Sequence, residues 1–331
     1  MKIDITFSVL SFNQENTVLE SLESVKHQVA HYGSGNTAQL LIVDDASEDH
    51  TYLLEQEWAK LNKSYFAKID ILPSNQHRGI NQNLLRSLDY IEGDYSKGIA
   101  GDDLVADVDI FSLIRERDAD IYILGYFSFN DSKIGTFQDD NYLYWNYSFK
   151  DLQRISRWEL VPISVLRLVI SRKLFDSGYR KALSRYMYIE DVPAWEYLMS
   201  GEEKRIQYVN APLTLYRKSG QNISIVGTSN PYYKQFKLDQ NKLYMDRAKN
   251  AEGALEHYVA LMNQKRQAGG SFFYGVINPY RYYHKFQMWK NKEKIQKLVH
   301  ELEQNHKERN LMYLQDIQAR AREMYANIMH V

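Results

Sequence analysis

Gln39-Leu40-Leu41-Ile42-Val43-Asp44-Asp45-Ala46-Ser47 is a short apolar run closed by two carboxylates. A continuous apolar run that ends on a turn signal reads as a strand buried on both faces. Working outward, Ile3 to Leu10 alternates as a strand does and stops at Ser11-Phe12-Asn13. Asn16 is placed to cap a helix with Val18, Leu19, Leu22 and Val25 along one face. Thr51 to Leu61 has helical spacing, Ile69 to Leu72 is a third strand and Asn81 to Ile91 is helical again. Gly98 to Ala100 is a short strand leading into Asp102-Asp103, and Asp120 to Phe129 is a further strand. Strands alternating with helices predict an α/β fold with a mostly parallel sheet covered on both faces. Ligands bind such sheets at the carboxyl ends of the strands. Asp44-Asp45 and Asp102-Asp103 both fall at strand carboxyl ends.

The composition narrows the class. The chain has 331 residues, 44% hydrophobic and 25% charged, which excludes a disordered or low-complexity protein. It has no cysteine, so a disulfide framework, a thiol nucleophile and a Cys-ligated zinc are excluded. Mean hydropathy is −0.52, and no apolar run approaches a spanning helix. Met1 to Val9 reads as a strand rather than a signal peptide. A net charge of −1 argues against a general nucleic-acid binder. The charge is uneven: residues 1–230 hold 24 Lys+Arg against 32 Asp+Glu, and the rest hold 17 against 10. An acidic body and a basic tail suggest parts with different partners.

Three acidic pairs carry the candidate chemistry. Asp102-Asp103 follows Ile99-Ala100-Gly101, and adjacent hard oxygens at a strand end suit Mg²⁺ or Mn²⁺ bridging a phosphate. Gly101 would let a bulky ligand approach the backbone. A turn or helix cap is the alternative use of the pair. Asp44-Asp45 could accept hydrogen bonds from a base or ribose, or cap the strand end with Ser47 and Asp49 starting the next helix. Glu190-Asp191 lies between Met187-Tyr188-Ile189 and Val192-Pro193, where a buried carboxylate could act as general base and Asp191 could also cap a helix. His77-Arg78-Gly79, with Asn81 and Asn83, could contact phosphate or base, or form a solvated loop. No G-x-G-x-x-G or phosphate-loop motif is present, and the nine histidines show no metal-binding spacing.

Taken together, the motifs resemble family 2 glycosyltransferases. Phe7 to Asn13 with Glu15 looks like that family's opening strand, and Leu22-Glu23-Ser24-Val25 with Gln28 resembles its first helix. Ile42 to Ser47, then Asp49 and Thr51, is similar to I-V-D-D-x-S-x-D-x-T. Asn75, Gly79 and Asn83 match N-x-x-x-G-x-x-x-N. Gly93-Asp94-Tyr95 precedes Ala100-Gly101-Asp102-Asp103 like the family's metal-binding acidic motif. Glu190-Asp191 resembles its late E-D element, and Leu215-Tyr216-Arg217 with Ser224 its Y-R segment. The likeness spans about residues 3–225. It departs in two places: Ala100 stands where D-x-D-D has its first Asp, and Tyr216-Arg217-Lys218-Ser219 lacks the His often found there.

The resemblance implies a GT-A fold over residues 1–230, with a nucleotide-sugar half to about 105 and an acceptor half beyond it. It implies inverting transfer from a nucleoside diphosphate sugar, most often a uridine diphosphate sugar, to a hydroxyl of a glycan or lipid-linked acceptor. Ser11, Phe12 and Asn13 would border the nucleoside, Asp45 would read the base, and Arg78 would contact the donor. Asp102 would lie near ribose and metal, Asp103 would bind the Mn²⁺ or Mg²⁺, and Asp191 would be the general base. Arg217 or Lys218 would take over a diphosphate contact. The expected setting is the bacterial cytoplasm, at the inner face of the membrane, in surface-polysaccharide or glycoconjugate synthesis. A catalytically inactive sugar-nucleotide binder is the rival reading, and Ala100 is what favours it.

Residues 231–331 lie beyond the resemblance and are helical in pattern. Leu255, Val259 and Met262 form one stripe, and Ile295, Leu298, Val299 and Leu302 another. Phe272 to Lys294 between them is dense in aromatic and basic residues and is broken by Pro279. Such a stretch either docks on a membrane surface or packs the tail onto the catalytic domain or a second subunit.

Overall fold

A computed structural model describes residues 2–130, 133–136, 142–156, 163–218, 227–270 and 272–329. In chain order the elements are β1 (Ile5–Ser11), α1 (Val18–Tyr32), β2 (Ala38–Asp44), α2 (Thr51–Asn62), β3 (Lys68–Leu72), α3 (Ile80–Ser87), β4 (Tyr95–Ala100) and β5 (Leu104–Val105). Then come α4 (Ile110–Arg115), β6 (Ile121–Asn130), β7 (Lys133–Thr136), α5 (Phe149–Ser156), β8 (Leu168–Ser171), α6 (Ser177–Leu183), α7 (Asp191–Leu198) and β9 (Ile206–Arg217). The rest is helical: α8 (Tyr233–Asn250), α9 (Ala254–Gln267), the single turn α10 (Phe273–Val276), α11 (Pro279–Lys290) and α12 (Lys292–Met329).

The strands form one sheet in the order β3-β2-β1-β4-β8-β6-β9-β5, with β7 on β6. The first half is parallel, as expected: β1 pairs in parallel with both β2 and β4, and β2 with β3. The second half is mixed, because β8 runs antiparallel to β4 and β6 while β6 and β9 are parallel. The continuous apolar reading of β2 fits its place inside the sheet, where all seven residues are buried. Successive side chains point to opposite faces: Leu41 and Val43 join one core, Leu40 and Ile42 the other. Each such buried side chain contributes about 1.5–3 kcal/mol relative to exposure.

Some boundaries differ from expectation. Helix α1 begins at Val18, after a turn in which the Thr17 and Val18 N–H groups donate to the Gln14 carbonyl, so Asn16 lies inside the turn and caps nothing. Helix α3 stops at Ser87, short of Ile91. The β4 strand starts at Tyr95 rather than Gly98, because both neighbours in the sheet extend its pairing.

Helix α12 packs into the core of the sheet domain. Its Ile295, Leu302, Leu314 and Ile317 are buried in one core cluster and Ala321 in the other. Tyr313 Oη donates to the Val105 carbonyl at 2.9 Å, and the Asp107 N–H donates to Asn310 Oδ1 at 2.9 Å. The Asp107 carboxylate receives Arg309 Nε at 2.6 Å and the Tyr32 hydroxyl at 2.5 Å, and His27 Nε2 lies 3.2 Å from it. These partners hold the Asp107 carboxyl well below the usual carboxylate range despite its burial.

Candidate active site

The carboxyl ends of β1, β2 and β4 lie side by side, with Ser11 opposite Asp44 and Leu10 opposite Ala100. This edge carries the first two acidic pairs. The I-V-D-D-x-S-x-D-x-T residues divide their work there. Ser47 Oγ accepts the Asn13 N–H at 2.9 Å, and Asn13 Oδ1 accepts the Glu48 N–H at 2.8 Å. Thr51 Oγ1 accepts the Gln14 N–H at 2.7 Å, and Asp49 accepts the Glu15 N–H at 3.1 Å. Asp44 accepts the Ser47 N–H at 3.0 Å. Four of these side chains therefore latch the loop after β1 to the loop after β2. Ser11 faces inward, donating from Oγ to the buried Glu55 at 2.5 Å.

Asp45 does a different job. It is buried, and its two oxygens accept the Arg78 and Gly79 N–H groups at 2.9 and 2.8 Å. Burial pushes its carboxyl up, against those two donors and the nearby His77. His77 Nδ1 sits 2.9 Å from Asp45 Oδ2, and His77 Nε2 is 2.7 Å from the Tyr188 hydroxyl. The His77 ring lies 3.9 Å from Phe12 and 4.7 Å from Tyr232, centroid to centroid. Phe12, His77, Tyr188 and Tyr232 thus make an aromatic wall beside a carboxylate, a surface suited to stacking and reading a planar base. Arg78 reaches Asp45 through its backbone, while its exposed guanidinium touches only Asn75 among protein groups described, at 3.4 Å.

Gly79 takes φ +83°, and a Cβ there would sit 2.6 Å from Met187 Cγ. The 183–189 segment is held against α3 on this side. Asn81 Nδ2 donates to the Leu183 and Ile189 carbonyls at 3.0 and 2.9 Å, and the Asn81 N–H to the Met187 carbonyl at 3.1 Å. On its other side, Asp239 of α8 accepts the Met187 and Tyr188 N–H groups, both at 2.7 Å. Asn81 is therefore an internal tie, not a solvated loop residue.

In the second acidic pair Asp103 is buried and Asp102 is half-buried. Asp103 Oδ1 accepts the Arg217 N–H at 2.9 Å. Arg217 Nε donates to the Asp102 carbonyl at 2.8 Å, and its guanidinium pairs with Glu20 at 2.5 Å. Burial raises the Asp102 carboxyl, and burial together with the Asp102 charge raises Asp103 well above the carboxylate range. Behind the pair, Lys97 donates to the Gly98 and Leu166 carbonyls at 2.9 Å each, and burial pushes its amine down to about 7. Gly101 makes room for the protein itself, since a Cβ there would collide with Gln14 Oε1. Two adjacent carboxylates that resist ionising together fit a hard divalent cation. No group of three or more His, Cys, Asp or Glu that could hold a metal is found among the described residues.

Glu190 and Asp191 form the third pair, at the start of α7. Asp191 does not cap that helix with its side chain. It reaches across to Ser164 and Val165, accepting the Val165 N–H at 2.9 Å and the Ser164 hydroxyl at 3.1 Å. Burial raises both carboxyls, and the Asp191 charge helps push Glu190 up to about 8. Both pairs connect to β9, through the Arg217 N–H on Asp103 and through the Thr214 hydroxyl on the Leu166 carbonyl beside Val165, and burial and the carboxylate charges push the Tyr216 phenol up. Ser219 and Ser224 of the expected Y-R segment lie outside the described residues.

Residues 6–178, just over half of the chain, match the family described as Glycosyl transferase family 2. The chain belongs to glycosyl transferase family 2. It is a glycosyltransferase with a GT-A fold and an added helical region after β9. Its fold is similar to that of S. aureus TarS 1-349 in complex with UDP-GlcNAc, at TM-score 0.56 and 14% identity, over 98% of this chain and 90% of that one. The same TarS region in complex with UDP gives TM-score 0.51 over the same shares. Against a longer S. aureus TarS chain the TM-score is 0.50 at 15% identity, and the match spans 80% of this chain but only 43% of that one. No curated protein matches the chain in sequence.

Among the residues quoted for the resemblance, those latching the loops are distinct from those facing the cleft. Tyr188, Tyr232, Ser164 and Asp239 were not singled out from the sequence as site residues. No periodicity marks them, because each acts through a contact between distant segments.

Proposed function

We propose that this glycosyltransferase moves a sugar, with inversion, from a nucleoside diphosphate donor to a hydroxyl of a glycan or lipid-linked acceptor. The observation that carries the reading is that two acidic pairs are tied to the end of β9: Asp103 accepts the Arg217 N–H, and Asp191 holds Val165, whose neighbour Leu166 accepts the Thr214 hydroxyl. One carboxylate pair lies at the carboxyl edge of the parallel strands, where a diphosphate would sit. The other comes from the mixed half of the sheet and would supply the base that inverting transfer calls for.

In this reading Phe12, His77 and Tyr232 stack on the base and Asp45 accepts from its edge. Ser11 and Asn13 shape that slot through Glu55 and Ser47 rather than touching the donor strongly. The Arg78 guanidinium, exposed at the rim, meets the donor. Asp103 and Asp102 would hold Mn²⁺ or Mg²⁺, which when bound neutralises charge on the diphosphate leaving group. Arg217, fixed by Glu20 and the Asp102 carbonyl, supports Asp103. Asp191 is the general base. The Val165 N–H and Ser164 hydroxyl favour its ionised form, so the proton shared within the pair rests on Glu190. A uridine diphosphate sugar is the favoured donor, supported by the similar fold of a TarS structure that holds UDP-GlcNAc.

The test is a thermal-shift series with uridine, guanosine, thymidine and cytidine diphosphates and their sugars, with and without Mn²⁺. A ligand bound only by the folded state raises Tm by mass action. The expected result is a metal-dependent shift with uridine diphosphate that is lost in Asp103→Asn. Asp191→Asn should keep the shift and lose transfer. An active Asp191→Asn protein would remove the base assignment, and no shift from any diphosphate would favour a non-catalytic role.

A further inference from the structure

The aromatic stretch of the tail does not pack as a whole onto the catalytic domain. Tyr280 is buried, and its N–H is capped by Asn278, which is tied to Asn263 of α9 at 2.8 Å. Tyr274 is half-buried and most of the other rings face outward. Trp289 is 74% exposed and Phe272 70%, and Phe273, Tyr282, Tyr283 and Phe286 are exposed too. Tyr282, Phe286 and Trp289 recur at i, i+4 and i+7, so they share one face of α11. The Phe286 and Trp289 rings lie 5.9 Å apart. The ridge continues onto α10, where Tyr282 Oη donates to the Val276 carbonyl at 2.7 Å and the Arg281 guanidinium lies 5.6 Å from the Phe272 ring.

Lysines border this face. On the helical wheel Lys285 flanks the stripe on one side and Lys290 on the other, and both are exposed. Residues 265–294 contain seven Lys+Arg and one acidic residue, Glu293. An exposed apolar ridge of this kind marks an interaction surface. Aromatic rings prefer the headgroup level of a bilayer, and lysines beside them attract anionic lipid. A symmetric self-contact through this face would bring the same lysines together, which disfavours it. No helix among the described residues is long and apolar enough to cross a membrane.

We infer that the ridge from Phe272 to Trp289 docks the enzyme on an anionic phospholipid surface. The contact is interfacial, with the rings at headgroup depth and Lys285 and Lys290 on the phosphates. It is independent of the donor and of the acidic pairs.

The experiment is flotation of the full chain with phosphatidylcholine vesicles, with and without phosphatidylglycerol. The protein should float with the anionic vesicles alone, and high salt should release it. Lys285→Gln and Lys290→Gln should each weaken binding about fivefold. Phe286→Ser with Trp289→Ser should abolish it while leaving the circular dichroism spectrum and Tm of the parent. Three outcomes would overturn the inference: a folded chain that does not float with anionic vesicles, flotation that survives loss of both rings, or a dimer that the ring variant dissociates.

Discussion

Asp239 tests whether the helical tail holds the catalytic loop. Its carboxylate is buried and accepts two backbone N–H groups, from Met187 and Tyr188, both at 2.7 Å. A hydrogen bond to a charged group contributes about 1.5–3 kcal/mol, and losing an acceptor also strands the buried donors. Asp239→Ala removes both bonds. Because they share one residue and one loop they do not add fully, which gives a loss of about 3–4 kcal/mol. At about 2–4 °C per kcal/mol for a large domain, Tm should fall by about 6–16 °C. Both N–H groups donate to one oxygen, Oδ2, so the amide oxygen of Asp239→Asn can still accept both, and this variant should lose well under half as much. The loop leads directly to Glu190 and Asp191, so kcat should drop as well, by about tenfold to a hundredfold for a displacement near 1 Å. KM for the donor should rise too, since the freed loop carries Tyr188, whose hydroxyl holds His77 in the aromatic wall. Lys242→Ala, which removes an exposed bond to the Arg185 carbonyl on the same helix, should change stability by less than about 0.5 kcal/mol. Differential scanning calorimetry and steady-state kinetics check the set. Parental Tm and kcat in Asp239→Ala would refute the idea that α8 positions the loop.

Asp103→Asn should abolish transfer yet leave the ligand-free protein as stable as the parent or more so. It removes a buried carboxylate whose ionisation burial and Asp102 oppose, while its amide oxygen can still accept the Arg217 N–H; calorimetry without metal or donor checks this. Glu190→Gln should flatten the pH dependence of stability. The folded Glu190 carboxyl titrates near 8 against an ordinary 4.5, so between those values the native state holds a proton that the unfolded chain has released. Its stability contribution is present below that window and is lost as pH rises through it, and Tm measured across the window should fall less in the Gln variant. Gly79→Ala should cost about 1–3 kcal/mol from its positive φ alone, and more from the collision with Met187; urea unfolding should show a lower midpoint with an unchanged slope.

The parallel half of the fold was legible because its pattern is local. Leu41 and Val43 alternate with Leu40 and Ile42, and Asp44-Asp45 ends the run at the sheet edge. The acidic pairs were legible as residue types at strand ends. Their partners were not. Asp191 turns to Ser164 and Val165 instead of its own helix, a choice made by packing across the fold. Ser47 and Thr51 look like ligand or cap residues in sequence, yet their bonds join two loops, while Asp49 does both, accepting the Thr51 N–H at 2.9 Å at the helix start and the Glu15 N–H across the loops. The tail was legible as helices, but the choice between packed and exposed rings was not. Tyr280 and Phe286 have the same local character, and only the position of α11 buries one and exposes the other.

The docking of α12 onto β5 also sets a timetable for the newborn chain. Asp107 and Asn310, which bond through the Asp107 N–H, are 203 residues apart. At a synthesis rate of about 5–20 residues per second, the first waits about 10–40 s for the second. During that time the Val105 carbonyl lacks the Tyr313 hydroxyl, and both faces of the sheet lack the side chains of the last helix. The nascent enzyme is then a half-roofed sheet, open to proteases and to chaperones. Protease digestion of ribosome-stalled chains should show residues 1–230 cut readily when α12 is still in the exit tunnel and resistant once it has emerged. Equal resistance at both lengths would mean that the sheet closes without its last helix.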